Sequence, residues 1–100
     1  MNELVRIDAV EPLQDHWVRL WFTNGAVQDV NLAEALAGGG VFEPIHSNRE
    51  IFERVRVNPE TKTIEWPGAV DLDPDVLYGL FEPEGDIRIE RRMVREPTPA

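Results

Sequence analysis

The sequence predicts an α+β domain: a mostly antiparallel sheet built from a three-stranded meander and a second hairpin, with two or three short helices on one face. Three observations carry this reading. Apolar alternation of period two recurs in short runs, over residues 4–13, 16–22, 26–30 and 55–58. Turn signals, Asn24-Gly25 and Pro59-Glu60-Thr61-Lys62, lie between consecutive runs at hairpin distance. The helical patterns are brief and are bounded by cap residues, glycine or proline.

Each element follows in chain order. Val5, Ile7 and Ala9 fall on one face of a first strand, Arg6, Asp8 and Val10 on the other, and Pro12 ends it or places it on an edge. HWVRLWF, residues 16–22, is rich in branched and aromatic types, with Trp17, Arg19 and Trp21 on one face and Val18, Leu20 and Phe22 on the other. Asn24-Gly25 suits a type I′ turn, which needs positive φ at both central residues, and AVQDV, residues 26–30, returns as the third strand. Asn31 can cap a short helix over LAEAL, and Gly38-Gly39-Gly40 stops it. Ser47 and Glu50 form a capping-box pattern ahead of Ile51 and Phe52, predicting a second helix of about two turns. VRVN, residues 55–58, and TIEW, residues 63–66, make the second hairpin. Trp66 then fits a buried anchor in the corner between sheet and final helix, while Pro67-Gly68 turns the chain. Asp73 caps PDVLYGLF, with Pro74 at the first helical position and Val76, Leu77, Leu80 and Phe81 as its apolar stripe. Residues 1–81 are thus expected to form a single α+β domain. Residues 82–100 add one more possible strand, over 86–90, and then a flexible charged tail, RRMVREPTPA.

One hundred residues, 42% of them apolar, suffice for one modest core. The net charge is −9, with 14 acids against six bases in residues 1–81 and five acids against four arginines in residues 82–100. An acidic body repels phosphate, so nucleic acid is not expected as a partner; solubility or a basic partner is favoured. No cysteine is present, which excludes disulfides, thiolate metal sites and a cysteine nucleophile. The N-terminus lacks a basic region followed by an apolar run, and no apolar stretch reaches membrane-spanning length, so a cytoplasmic location without membrane contact is expected.

His16 and His46 have no paired-ligand spacing and read as exposed loop histidines. Asp71, Asp73 and Asp75 lack the glycine and glutamate of a calcium loop, and helix capping accounts for Asp73 without an ion. Gly38–Gly40 does not match a phosphate-binding pattern, and Ser47 has no G-x-S-x-G context. Neither catalytic residues nor a metal or cofactor are expected. Trp17, Arg19 and Trp21 stand apart. A sheet covered on one side leaves its other face open, and aromatic rings flanking an arginine have the composition of interface hot spots. Which face of that strand is buried is left open by the pattern. These three residues are the candidate partner-binding face, with Asp71, Asp73 and Asp75 as a secondary surface.

The order of signals is similar to a known family. The aromatic strand ending in Phe-Thr-Asn-Gly, then Asp29-Val30-Asn31-Leu32, Val55-Arg56-Val57-Asn58, Thr63-Ile64-Glu65-Trp66-Pro67 and Asp71-Leu72-Asp73-Pro74-Asp75-Val76-Leu77-Tyr78 resemble the bacterial family catalogued as domain of unknown function 2442, over residues 4 to about 80. The resemblance implies a small α+β cytoplasmic protein and no enzyme activity. Some members stand beside a second small protein in arrangements like toxin–antitoxin pairs, and some carry a helix-turn-helix extension. RRMVREPTPA is too short and too polar for that extension, so DNA binding is not carried over. The expectation is a non-enzymatic acidic interaction module. Its partner would be another protein, basic and encoded nearby as an antitoxin's partner would be, or a second copy in a homodimer. The alternative is a small-ligand-binding or enzymatic domain with an unrecognised site.

Overall fold

Seven strands in two antiparallel sheets make up the frame of the computed structural model, which describes residues 5–68, 70–72, 74–78 and 89–98, without the side chains of Asp75 and Val76. The larger sheet runs β1 (Ile7–Pro12), β2 (Trp17–Phe22), β3 (Val27–Asn31) and β7 (Glu90–Arg95), neighbours in that order. The smaller sheet runs β4 (Arg56–Val57), β5 (Ile64–Trp66) and β6 (Val70–Asp71). In chain order a 3-10 turn at Gly40–Phe42 and the helices α1 (Glu43–Ser47) and α2 (Arg49–Phe52) stand between β3 and β4, and α3 (Pro74–Tyr78) stands between β6 and β7. This is the α+β architecture of a meander plus a second hairpin. No helix among the described residues is long and apolar enough to cross a membrane.

The open question of β2's faces is settled by burial. Val18, Leu20 and Phe22 point into the core, and each such side chain removed from water contributes about 1.5–3 kcal/mol. They join Ile7, Val30, Leu32, Leu36, Ile45, Phe52, Ile64, Trp66 and Leu77 in one cluster, to which both sheets and all three helices contribute. Trp66 is 1% exposed. Its Nε1 donates to the Phe52 carbonyl at 3.0 Å, and its ring lies 6.2 Å from that of Phe52, centroid to centroid. The anchor role holds, with α2 as the element it anchors.

Several local expectations are corrected. The Asn24-Gly25 hairpin is not type I′. Only Gly25 has positive φ (89°), Gly25 N–H donates to Phe22 O, and Phe22 N–H donates to Ala26 O. This is a three-residue loop with glycine in the left-handed position. Ala9 lies on the opposite face from Ile7, because a bulge between them shifts the β1–β2 register. LAEAL forms turns rather than a helix: Leu36 N–H donates to Leu32 O, Ala37 N–H reaches Glu34 O, and the glycines allow no second turn to repay nucleation. Asn48, not Ser47, caps α2, accepting from Glu50 N–H; the Ser47 hydroxyl instead donates back to Glu43 O within α1.

Pro67-Gly68 opens a further hairpin to β6, which was not predicted; Gly68 takes φ 94° there. The final strand occupies Glu90–Arg95, from the last residue of the expected strand into the stretch read as a flexible tail. Residues 86–88 of the expected strand, Leu80 and Phe81 of the helix stripe, and Asp73 lie outside the described residues.

Candidate functional site

The register of the larger sheet builds one continuous outer face. Trp17, Arg19 and Trp21 of β2 lie opposite Asn31, Asp29 and Val27 of β3. Glu11 and Ala9 of β1 lie opposite Arg19 and Trp21, and Arg92 and Glu90 of β7 opposite Asp29 and Asn31. Both tryptophans are half-buried. Val27 is buried on this face, outside the main core cluster.

At the centre Arg19 Nε donates to Asp29 Oδ1 at 2.8 Å and Arg19 Nη2 to Oδ2 at 3.1 Å, a bidentate fork. Those bonds, and then the charge attraction, hold the Arg19 guanidinium above its ordinary value. The Asp29 side chain is 6% exposed against 37% for Arg19, so the carboxylate is the enclosed partner. Arg92 also reaches Asp29, at 3.5 Å, while its guanidinium carbon sits 4.3 Å from the Trp17 ring centroid. One carboxylate therefore serves two arginines, and one indole face carries a cation. A shallow depression of about 580 Å³ runs from this cluster to the β1–β2 turn at Leu13, Gln14 and Asp15, with Arg49 on its far wall. Arg49 itself is occupied, donating to the Leu13 and Asp15 carbonyls and to Glu53.

The secondary surface is not joined to this one. Asp71 is exposed on β6, in the other sheet, beside a separate depression lined by Arg6, Thr61 and Pro74. Asp73 and the Asp75 side chain lie outside the described residues.

The histidines are not exposed loop residues. His16 and His46 are half-buried and stack at 4.5 Å between centroids, 10° from parallel, with Phe52 edge-on to His16. The His16 ring Nε2 donates to the His46 carbonyl at 2.8 Å, which fixes a proton on that nitrogen. No group of three or more His, Cys, Asp or Glu among the described residues is arranged to hold a metal ion.

Asp29 and Arg92 were missed from sequence. Asp29 falls opposite Arg19 only in the three-residue loop register; the type I′ register would slide the strands by one and pair Arg19 with Val30. The Arg19–Asp29 charge match across Asn24-Gly25 was the signal that could have chosen between them. Arg92 lay in a segment read as tail.

No curated protein matches this chain. A solved structure does, that of "Putative DNA Binding Protein NE0471" from Nitrosomonas europaea, at 28% identity and a TM-score of 0.67. The match covers 78% of this chain and spans half of that protein's length. It corrects the exclusion of nucleic acid as a partner: net charge argued against phosphate, but charge over a whole chain does not describe one face, and a relative of this fold is named for DNA. Finally, the family model described as "Protein of unknown function (DUF2442)" matches residues 7–83, so with its meander, second hairpin and Trp66 corner in place the chain belongs to that family.

Proposed function

We propose that the chain is a non-enzymatic protein-interaction module, the antitoxin-like half of a pair, and that its working surface is the Trp17–Arg19–Trp21 face. One observation carries the reading: two half-buried tryptophans flank an arginine on the sheet face turned away from the core. Aromatic and arginine side chains dominate binding energy at interfaces, because rings bury area at small entropic cost and guanidinium forks fix geometry. The acidic composition adds long-range attraction toward a basic protein. Against an enzymatic role stands the use already made of the reactive side chains. His16 bonds a backbone carbonyl rather than a carboxylate, and the Ser47 hydroxyl bonds Glu43 O.

Affinity capture with the wild-type chain, followed by titration of the purified captured protein, tests this. Trp17→Ala and Trp21→Ala are expected to weaken that complex by about 2 kcal/mol or more, while Glu60→Ala on the distant turn leaves it unchanged. Equal binding by all three variants would remove this face from the reading.

A second reading places nucleic acid on the same face, favoured by the name of the Nitrosomonas europaea protein. Binding of labelled DNA that weakens steeply with salt and is lost on Arg92→Ala would select it. Binding of a purified protein partner, with no binding of labelled DNA, selects the first.

A further inference from the structure

We propose that β7 fills, within its own chain, a groove along the β3 edge that also takes an arginine-bearing extended strand from the partner. The inference rests on the protein-interaction reading above and names the partner's chemistry.

The groove is built and its present occupant is lightly held. All six residues of β7 are exposed, and none belongs to the core cluster; the nearest anchor is Ile89, half-buried just before it. β3 beneath it is buried from Val27 to Val30. The strand is thus kept by its ladder to β3 and by a few side-chain contacts, which puts it at the low end of local stability. Those contacts are specific. Arg92 lies between the Trp17 ring and the enclosed Asp29 carboxylate, a subsite that reads a guanidinium by charge and by π-face. Further on, Arg95 Nε donates to Gly25 O at 3.0 Å and Thr98 N–H to Asn24 O at 2.8 Å. A Cβ on Gly25 would fall 2.1 Å from Thr98 Oγ1, so glycine admits the incoming chain at that end. The acceptor residues all lie within the family match over 7–83, whereas β7 lies beyond it. Strand addition to a sheet edge supplies main-chain affinity, and the Trp17–Asp29 subsite supplies selection.

The test uses the full-length chain carrying Arg92→Pro, which fixes φ and removes the N–H that faces Asp29 across the ladder. A fluorescent synthetic peptide of residues 89–98 is expected to bind this variant on the order of tenfold more tightly than it binds the wild type, whose own strand competes. Arg92→Ala in the peptide should weaken binding about fivefold. Equal binding by wild type and variant, or indifference to Arg92→Ala, would overturn the proposal. If circular dichroism shows Arg92→Pro unfolded, hydrogen exchange on the wild type decides. Amides of β3 bonded to β7 should exchange at least about tenfold faster than those of β2, and equal protection overturns the proposal. A captured partner that needs Trp17 yet binds Arg92→Pro no better than wild type sinks the groove and leaves the proposed function standing. Peptide binding as described, with no protein partner found, supports the groove and sinks the proposed function.

Discussion

Trp66 and Trp17 are set at strand ends in the two sheets, and their surroundings differ in every respect that decides a role. Trp66 is enclosed, its indole N–H is paired with a backbone carbonyl, and its neighbours are Phe52 and the shared core. Trp17 is half-buried, its ring face is taken by an arginine whose side chain is 64% exposed, and its β3 neighbour is the polar Asn31. Removing a side chain is read in stability where its contacts are all internal, and in binding where one side of it remains open. The second hairpin is therefore a structural corner, and the outer face of the meander is the region whose rings stay partly open to solvent.

The largest expected effect tests the corner. Trp66→Ala should cost about 3–5 kcal/mol in urea unfolding, much of a small domain's stability. Trp66→Phe, which keeps an aromatic ring but removes the indole donor to a Phe52 carbonyl that Val55 N–H still bonds, should cost about 0.5–1.5 kcal/mol. A loss under about 1 kcal/mol for the alanine variant would mean that the corner can collapse around the gap and anchors nothing.

Next comes Trp17→Ala, expected to cost only about 1 kcal/mol in the same assay, since its area is only partly withdrawn from water. A loss as large as that of Trp66→Ala would erase the contrast between the two regions.

A pH series sharpens the comparison further. Glu65 is buried on β5 and accepts from Asn58 Nδ2 and Arg56 Nε, each at 2.9 Å. These bonds, that of Asn58 first, hold its carboxyl below the ordinary value. A depressed folded-state value means that the stabilisation is complete above the unfolded-state value, about 4.3, and is lost as pH falls through the folded one. Stability measured in acid should decline less steeply for Glu65→Gln than for wild type; parallel curves would show that the hairpin gains nothing from this carboxylate. The smallest effect belongs to the outer strand: Arg95→Ala, at an exposed contact with Gly25 O, should change stability by less than about 0.5 kcal/mol.

The sequence made the two regions unequally legible. Strands β1 to β4 were visible because alternation of period two survives in the residues themselves, and β5 as the partner across the Pro59–Lys62 turn: Val18, Leu20 and Phe22 must go one way once Trp17, Arg19 and Trp21 go the other. Trp66 was legible because a large ring before Pro-Gly has few uses other than filling a corner. What failed were features fixed by partners rather than by pattern. β6 is two residues long and exists only through pairing with β5. β7 exposes every side chain, so ERRMVR has no apolar face to announce a strand. Asn48 and Ser47 are both competent caps, and a one-residue choice between them turns on where α1 stops. The candidate face was half legible: Trp17, Arg19 and Trp21 could be named, but Asp29 required the turn geometry and Arg92 required β7.

One main-chain bond has a wider reach than its size suggests. Ile7 N–H donates to the carbonyl of Lys62 at 2.8 Å, and Lys62 itself is held at φ 59° in the Pro59–Lys62 turn. The first strand of the meander and the tip of the second hairpin are thereby stitched together some fifty-five positions apart in the chain. Lengthening that turn would tug on both layers at once. The stretch at Gly38–Gly40, where an added methyl would meet only open space, is the place to splice in a tag or a fluorophore.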